Sequence, residues 1–103
     1  VTIGQAVAIV AILAQMYGTP QLACIVEHES DYDVMAQNGI HEGLVQWSPS
    51  TREWLAGKAA EDPLWLHGGI AQGPVQDVAL CAWAVHNGYG SHWATFAACG
   101  GEG

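Results

Sequence analysis

The sequence predicts a mainly α-helical, single-domain protein (residues 1–103) of about five helices, with a small hairpin or irregular loop. Three observations predict it. A chain of 103 residues can bury one modest core but not two. Half of its residues are apolar and only 12% are charged, a balance that excludes a disordered chain. The apolar residues recur at spacings of three and four between Gly and Pro punctuation, and Asn38-Gly39 is the strong turn signal of the non-helical stretch.

The first helix is expected from about Ile3 to Tyr17, with Gln5 and Gln15 at polar positions and Gly18 as its stop. The first 26 residues carry no charge, so this helix is expected to be buried. Its longest unbroken apolar stretch, Ala6 to Ala14, falls far short of the ~20 residues a membrane span needs. The segment has neither the basic start nor the cleavage site of a signal peptide. Val1 in place of Met suggests a processed product, or a domain of something longer such as a tail or secretion protein.

A second helix is expected from Pro20 to about Ser30, with Thr19 as N-cap and Pro20 at the first helical position, where a missing N–H costs nothing. Leu22, Ile25, Val26 and Glu29 share one face. Glu27, roughly 200° from Glu29 around the helix, points elsewhere. The period breaks from Asp31 to Val45, where the hairpin or loop belongs. Ser48 is the expected cap of a third helix that starts at Pro49 and runs to about Ala60. Asp62-Pro63 opens a short helical or irregular stretch, and Gly68-Gly69 and Gly73-Pro74 mark a loop. A fourth helix from about Pro74 to His86 carries Val75, Val78, Ala79, Ala82, Trp83 and Val85, and ends at Gly88 and Gly90. A final short helix is expected to hold Trp93 and Phe96, ahead of a Gly-rich tail.

Charge narrows the function classes. Ten acids stand against two bases, Arg52 and Lys58, for a net charge of −8. No basic patch is available for nucleic-acid phosphates or an anionic membrane surface. His28-Glu29 and His41-Glu42 begin like the His-Glu-x-x-His zinc motif, but Tyr32 and Val45 stand where the second His belongs. Cys24, Cys81 and Cys99 include no Cys-x-x-Cys pair, so neither a metal nor a cofactor is expected. An odd count permits one internal disulfide. Cys81 with Cys99 would contribute about 3 kcal/mol in the chain-entropy model, Cys24 with Cys99 is an alternative, and three reduced thiols are a third. Cys24 lies among apolar neighbours, where a thiol is usually inert. The five Trp either serve the core or line a cleft as flat platforms for sugar rings.

Glu29 is the first candidate for chemistry. A carboxylic acid on an apolar helix face has its charged form disfavoured by burial, and an acid that keeps its proton can protonate a glycosidic oxygen. Taken alone, a helix-end Glu beside His28 and near Tyr32 is as readily structural.

Three segments sharpen the reading: Gly18-Thr19-Pro20 through Glu29-Ser30, Gly43-Leu44-Val45-Gln46-Trp47-Ser48-Pro49-Ser50-Thr51, and Ala84-Val85-His86-Asn87-Gly88-Tyr89-Gly90. In this order they resemble the lysozyme-like lytic transglycosylases and the related resuscitation-promoting factors of actinobacteria. The family has a Gly-x-Pro entry to a helix ending in Glu-Ser, then Gly-Leu-Met-Gln ahead of Pro-Ser-Thr, then Ala-Tyr-Asn-Ala-Gly. The ending from Gly90 through Trp93 to Cys99 is similar to the Gly-x-x-Trp and Cys that close actinobacterial and phage members.

The resemblance implies a lysozyme-like fold and cleavage of the β-1,4 bond between N-acetylmuramic acid and N-acetylglucosamine in peptidoglycan. It implies Glu29 as catalytic acid, Ser30 as the residue that ties down the loop, and Gln46, Thr51, Asn87 and Tyr89 along the cleft. Gly43, Gly88 and Gly90 read as backbone devices. The sequence departs from the family at His86, where Tyr is common, and at Asp31 and Asp33, where Gly or Asn is commoner. Glu42 is a further acid just before Gly43. Glycoside hydrolases generally use two carboxylates, and Asp31, Asp33 and Glu42 are the candidates for a second. The family's transglycosylases need one, because the substrate's own N-acetyl group and 6-hydroxyl complete the reaction. The single-acid route is the expectation here.

Peptidoglycan as partner implies an extracellular, periplasmic or virion-associated protein. Two alternatives stand beside this one. A non-catalytic peptidoglycan-binding or structural module would suit the high acidity, which is odd for an enzyme approaching an anionic wall. A chitin-directed hydrolase would share the fold.

Overall fold

The computed structural model describes residues 1–65 and 73–101. The expected Gly68-Gly69 loop lies outside them. The elements run α1 (Ile3–Tyr17), α2 (Leu22–Ser30), β1 (Gln37–Asn38), β2 (His41–Glu42), α3 (Pro49–Ala60) and α4 (Pro74–Ala84). The mainly helical expectation holds, with four α-helices among the described residues in place of about five.

α4 is the central element. Every residue from Val78 to Ala84 is buried, and the helix packs against both α1 and α3. Its run of Ala, Leu, Val, Cys and Trp has no polar side, which is what a helix enclosed on all sides requires. α1 is nearly as apolar but is not enclosed. It buries Ala6, Val10, Leu13 and Tyr17, while Ile3, Val7, Ile12 and Met16 stay exposed. The expected burial of α1 therefore holds for one stripe only, because a chain this short cannot surround two helices.

Local signals set the start and end of α1. Thr2 Oγ1 accepts from the Gln5 amide at 3.1 Å and Gln5 Oε1 accepts from the Thr2 amide at 2.9 Å, a reciprocal capping box. Gly18 ends the helix in the left-handed conformation. α2 corrects the expectation at its start. It begins at Leu22 with Gln21 as cap, and the buried Thr19 hydroxyl donates to the Ala82 carbonyl of α4 at 2.8 Å. A buried hydroxyl needs a partner, and the tertiary one takes the place of the local cap. Ser48 likewise makes no side-chain cap, although Pro49 opens α3 as expected.

The segment between α2 and α3 is a hairpin followed by a tight loop. β1 and β2 pair antiparallel, with Gln37 opposite Glu42 and Asn38 opposite His41. Glu42 and Trp47 then exchange backbone hydrogen bonds at 3.1 and 3.0 Å, closing the loop Gly43–Gln46. Leu44 and Val45 anchor that loop in the core.

After α4 the chain turns widely through Val85–Tyr89, with Gly88 at φ 94 breaking the helical path, and makes one 3-10 turn at Gly90–His92. The expected helix around Trp93 and Phe96 is absent. Trp93 is extended, and overlapping turns follow to Gly100. A Cβ on Gly90 would lie 2.7 Å from the Phe96 ring, so only glycine lets the tail close here. The disulfide joins Cys24 of α2 to Cys99, the alternative pairing, while Cys81 is a free thiol buried in α4. Closing a separation of 75 residues contributes roughly 4–5 kcal/mol in the chain-entropy model.

Candidate active site

Glu29 occupies the last turn of α2, on the face that buries Leu22, Ile25 and Val26. It is half-buried and opens into a cleft of about 340 Å³. The cleft is walled by His28 and Glu29 from α2, Asn38 and His41 from the hairpin, Gln46 from the loop, and His92, Trp93 and Ala94 from the tail. The expected second wall, Gly43–Thr51, contributes Gln46 alone, and the hairpin and the tail supply the rest.

Three elements hold the site. Thr95 Oγ1 donates to Glu29 Oε1 at 3.2 Å, fixing one carboxylate oxygen. Ser30 Oγ donates to the Leu44 carbonyl at 2.7 Å and to its own helix at Val26, tying α2 to the loop. Trp93 Nε1 donates to the Val45 carbonyl at 2.9 Å and its ring meets Trp47 edge-on, so the tail is fixed to the same loop.

Gln46 sits at φ 55, an uncommon conformation for a residue with a Cβ. Its Nε2 donates to the Ala36 and Gly43 carbonyls at 3.1 and 2.8 Å, which uses both amide hydrogens. The group that remains is the amide oxygen, an acceptor. His28 Nδ1 lies 2.9 Å from the Cys24 carbonyl and His41 Nδ1 3.2 Å from the Gln46 carbonyl. A carbonyl only accepts, so Nδ1 is the donor in both rings.

Among the described residues, Glu29 is the one carboxylate lining this cleft. The candidates for a second carboxylate lie elsewhere. Asp31 caps α2 in the left-handed conformation. Asp33 Oδ1 accepts from the Met35 amide at 2.9 Å. Glu42 lines a different hollow, with Asp77 and Val34. Behind Glu29, the Cys81 thiol is pushed well up, first by burial and then by the Glu29 charge.

The remaining expected site residues are not brought to Glu29. Asn87 and Tyr89 line a second hollow of about 420 Å³ with Lys58, Glu61, Asp62 and Trp83. Asn87 Nδ2 donates to the Trp83 carbonyl at 2.8 Å, and Tyr89 stacks on Trp83, because the Gly88 kink turns this segment toward α3. Thr51 is half-buried on the first turn of α3 and lines neither hollow.

Sequence reasoning missed Thr95, His41, His92 and the cleft role of Trp93. The Cys24–Cys99 pairing is the signal that leads to Thr95, since it brings the tail against the helix that carries Glu29. Among the described residues, one group has metal-ligating chemistry, Cys24, His28 and Cys99, but its two sulfurs are bonded to each other and offer no thiolate. Comparison of the chain with protein-family models, with curated proteins and with solved structures found no match.

Proposed function

We propose that this protein cleaves the β-1,4 bond between N-acetylmuramic acid and N-acetylglucosamine in peptidoglycan, with Glu29 as acid and then as base, on a lysozyme-like fold. The observation that carries this reading is a half-buried Glu29, held by the Thr95 hydroxyl, as the one carboxylate of its cleft among the described residues. Glu29 gives its proton to the glycosidic oxygen, and the bond from that oxygen to C1 of the muramyl ring breaks. The resulting carboxylate takes the proton of the 6-hydroxyl as that oxygen closes on C1. No water is consumed, and the product ends in a 1,6-anhydro ring. A single carboxylate supports this route over hydrolysis, which generally draws on two.

The Gln46 amide oxygen is available to accept from a sugar hydroxyl or N-acetyl N–H. The Cys24–Cys99 disulfide suits an oxidising compartment, as does a wall polymer outside the cytoplasm.

Glu29→Gln keeps the side-chain shape and removes the proton. It is expected to lower the rate of peptidoglycan clearing at least ~100-fold, as loss of a general acid does, with an unchanged circular dichroism spectrum. Clearing at the wild-type rate would remove Glu29 from the mechanism.

A further inference from the structure

An aromatic ledge leads away from the Glu29 cleft. Trp54 of α3 is 48% exposed, although it is among the largest apolar side chains of the protein. It is held in place on three sides. Tyr89 meets it edge-on with centroids 5.7 Å apart, His92 packs at 5.7 Å, and Lys58 Nζ lies 5.0 Å from its ring centroid. His92 also lines the Glu29 cleft, and Tyr89 also lines the hollow beside Lys58, Glu61 and Asp62. The two hollows are thus joined by a row of rings, with His92 and Tyr89 6.3 Å apart.

We propose that this ledge and the hollow beyond it form a further subsite for an uncharged N-acetylglucosaminyl residue of the glycan strand held at Glu29. The proposal rests on the peptidoglycan reading above. An ordered, half-exposed indole offers a flat apolar surface that matches the C–H face of a pyranose ring. Polar groups beside it match the ring's hydroxyls. Glu61 and Asp62 accept, Lys58 donates, and Asp62 already accepts from the Leu64 amide and Trp83 Nε1.

The charge balance selects the sugar. The hollow carries two carboxylates and one ammonium, and the other cation, Arg52, is only 4% exposed and paired with Asp77 at 2.7 Å. A muramyl residue brings the carboxylates of its stem peptide, or its own lactyl carboxylate where that peptide has been removed, and is repelled by the net negative hollow, whereas N-acetylglucosamine is not. Because the strand alternates the two sugars, a subsite that takes only one of them also sets the register of the bond at Glu29.

The test uses the full chain carrying Glu29→Gln, a neutral oligomer of N-acetylglucosamine as probe, and the indole N–H signals in heteronuclear NMR. The Trp54 signal, identified by its loss in Trp54→Phe, is expected to move on binding. Trp54→Ala is expected to weaken binding about tenfold, the size of one aromatic contact, and Trp54→Tyr to recover most of it. Free N-acetylmuramic acid is expected to leave the Trp54 signal in place. A probe that moves the Trp93 signal but not Trp54, with equal affinity for Trp54→Ala, overturns the ledge and leaves the peptidoglycan reading standing. N-acetylmuramic acid moving Trp54 as far as the neutral sugar does overturns the selection by charge. No binding of either sugar, together with no peptidoglycan turnover by the wild type, overturns both readings.

Discussion

Glu29 and Thr95 are 66 positions apart in sequence and joined by one hydrogen bond. That bond gives the carboxyl a fixed direction, which a general acid needs more than it needs strength of attachment. Thr95→Val keeps the branched shape and removes the donor. It is expected to lower turnover about three- to tenfold, the equivalent of one net hydrogen bond, without lowering thermal stability to match. Unchanged turnover in this variant would mean that Thr95 does not orient the acid. The face that carries Glu29 was legible in the sequence, because side chains three and four apart on one helix share a side whatever the helix packs against. Thr95 was not legible, because its place depends on the path of the tail. Nor were the roles of Asn87 and Tyr89, which follow from the Gly88 kink, since a glycine announces conformational freedom but not the direction the chain takes.

The helices are the elements whose limits could be read most closely. α1 and α3 run between the residues that periodicity and the Gly and Pro signals mark. Their surroundings could not be read the same way, since uncharged sequence describes both the enclosed α4 and the half-exposed α1. The cap of α2 differs from expectation for a related reason: Thr19 found a partner on another helix.

Two predictions belong to this scale. Replacing both Cys24 and Cys99 by Ser is expected to lower unfolding stability by about 2–5 kcal/mol, read from the denaturant midpoint, and to slow turnover because the tail carries Thr95 and Trp93. A midpoint equal to wild type would contradict the staple.

The second concerns Asp62, which joins the end of α3 to α4. Its carboxyl is held below the ordinary 3.8, first by the Leu64 amide and then by the Trp83 indole, with a further contribution from His86. A depressed carboxyl stabilises the fold fully above its unfolded value, and that stability fades as pH falls through the folded value. Asp62→Asn is therefore expected to melt below wild type at neutral pH, with the gap closing as pH falls below about 3.8. A gap that is constant with pH would show that Asp62 acts through shape alone.

At the scale of the whole molecule, one core built around α4 joins α1, α2 and α3 to the tail, and the cleft opens where α2, the hairpin and the tail meet. Three separately placed segments supply its walls, and this explains why the sequence motifs find some of the cleft and not all of it. The net charge of −8 opposes approach to an anionic wall. Under the proposed function, affinity for peptidoglycan comes from close contacts in the cleft and along the Trp54 ledge, not from long-range attraction.

The central claim is that one carboxylate suffices for bond cleavage. The measurement that tests it most directly is the mass of the fragments released from purified peptidoglycan by the wild-type protein. The account predicts muropeptides ending in a 1,6-anhydro ring, lighter by one water than hydrolytic products. Fragments that have gained a water would contradict it and call for a second carboxylate at the cleft.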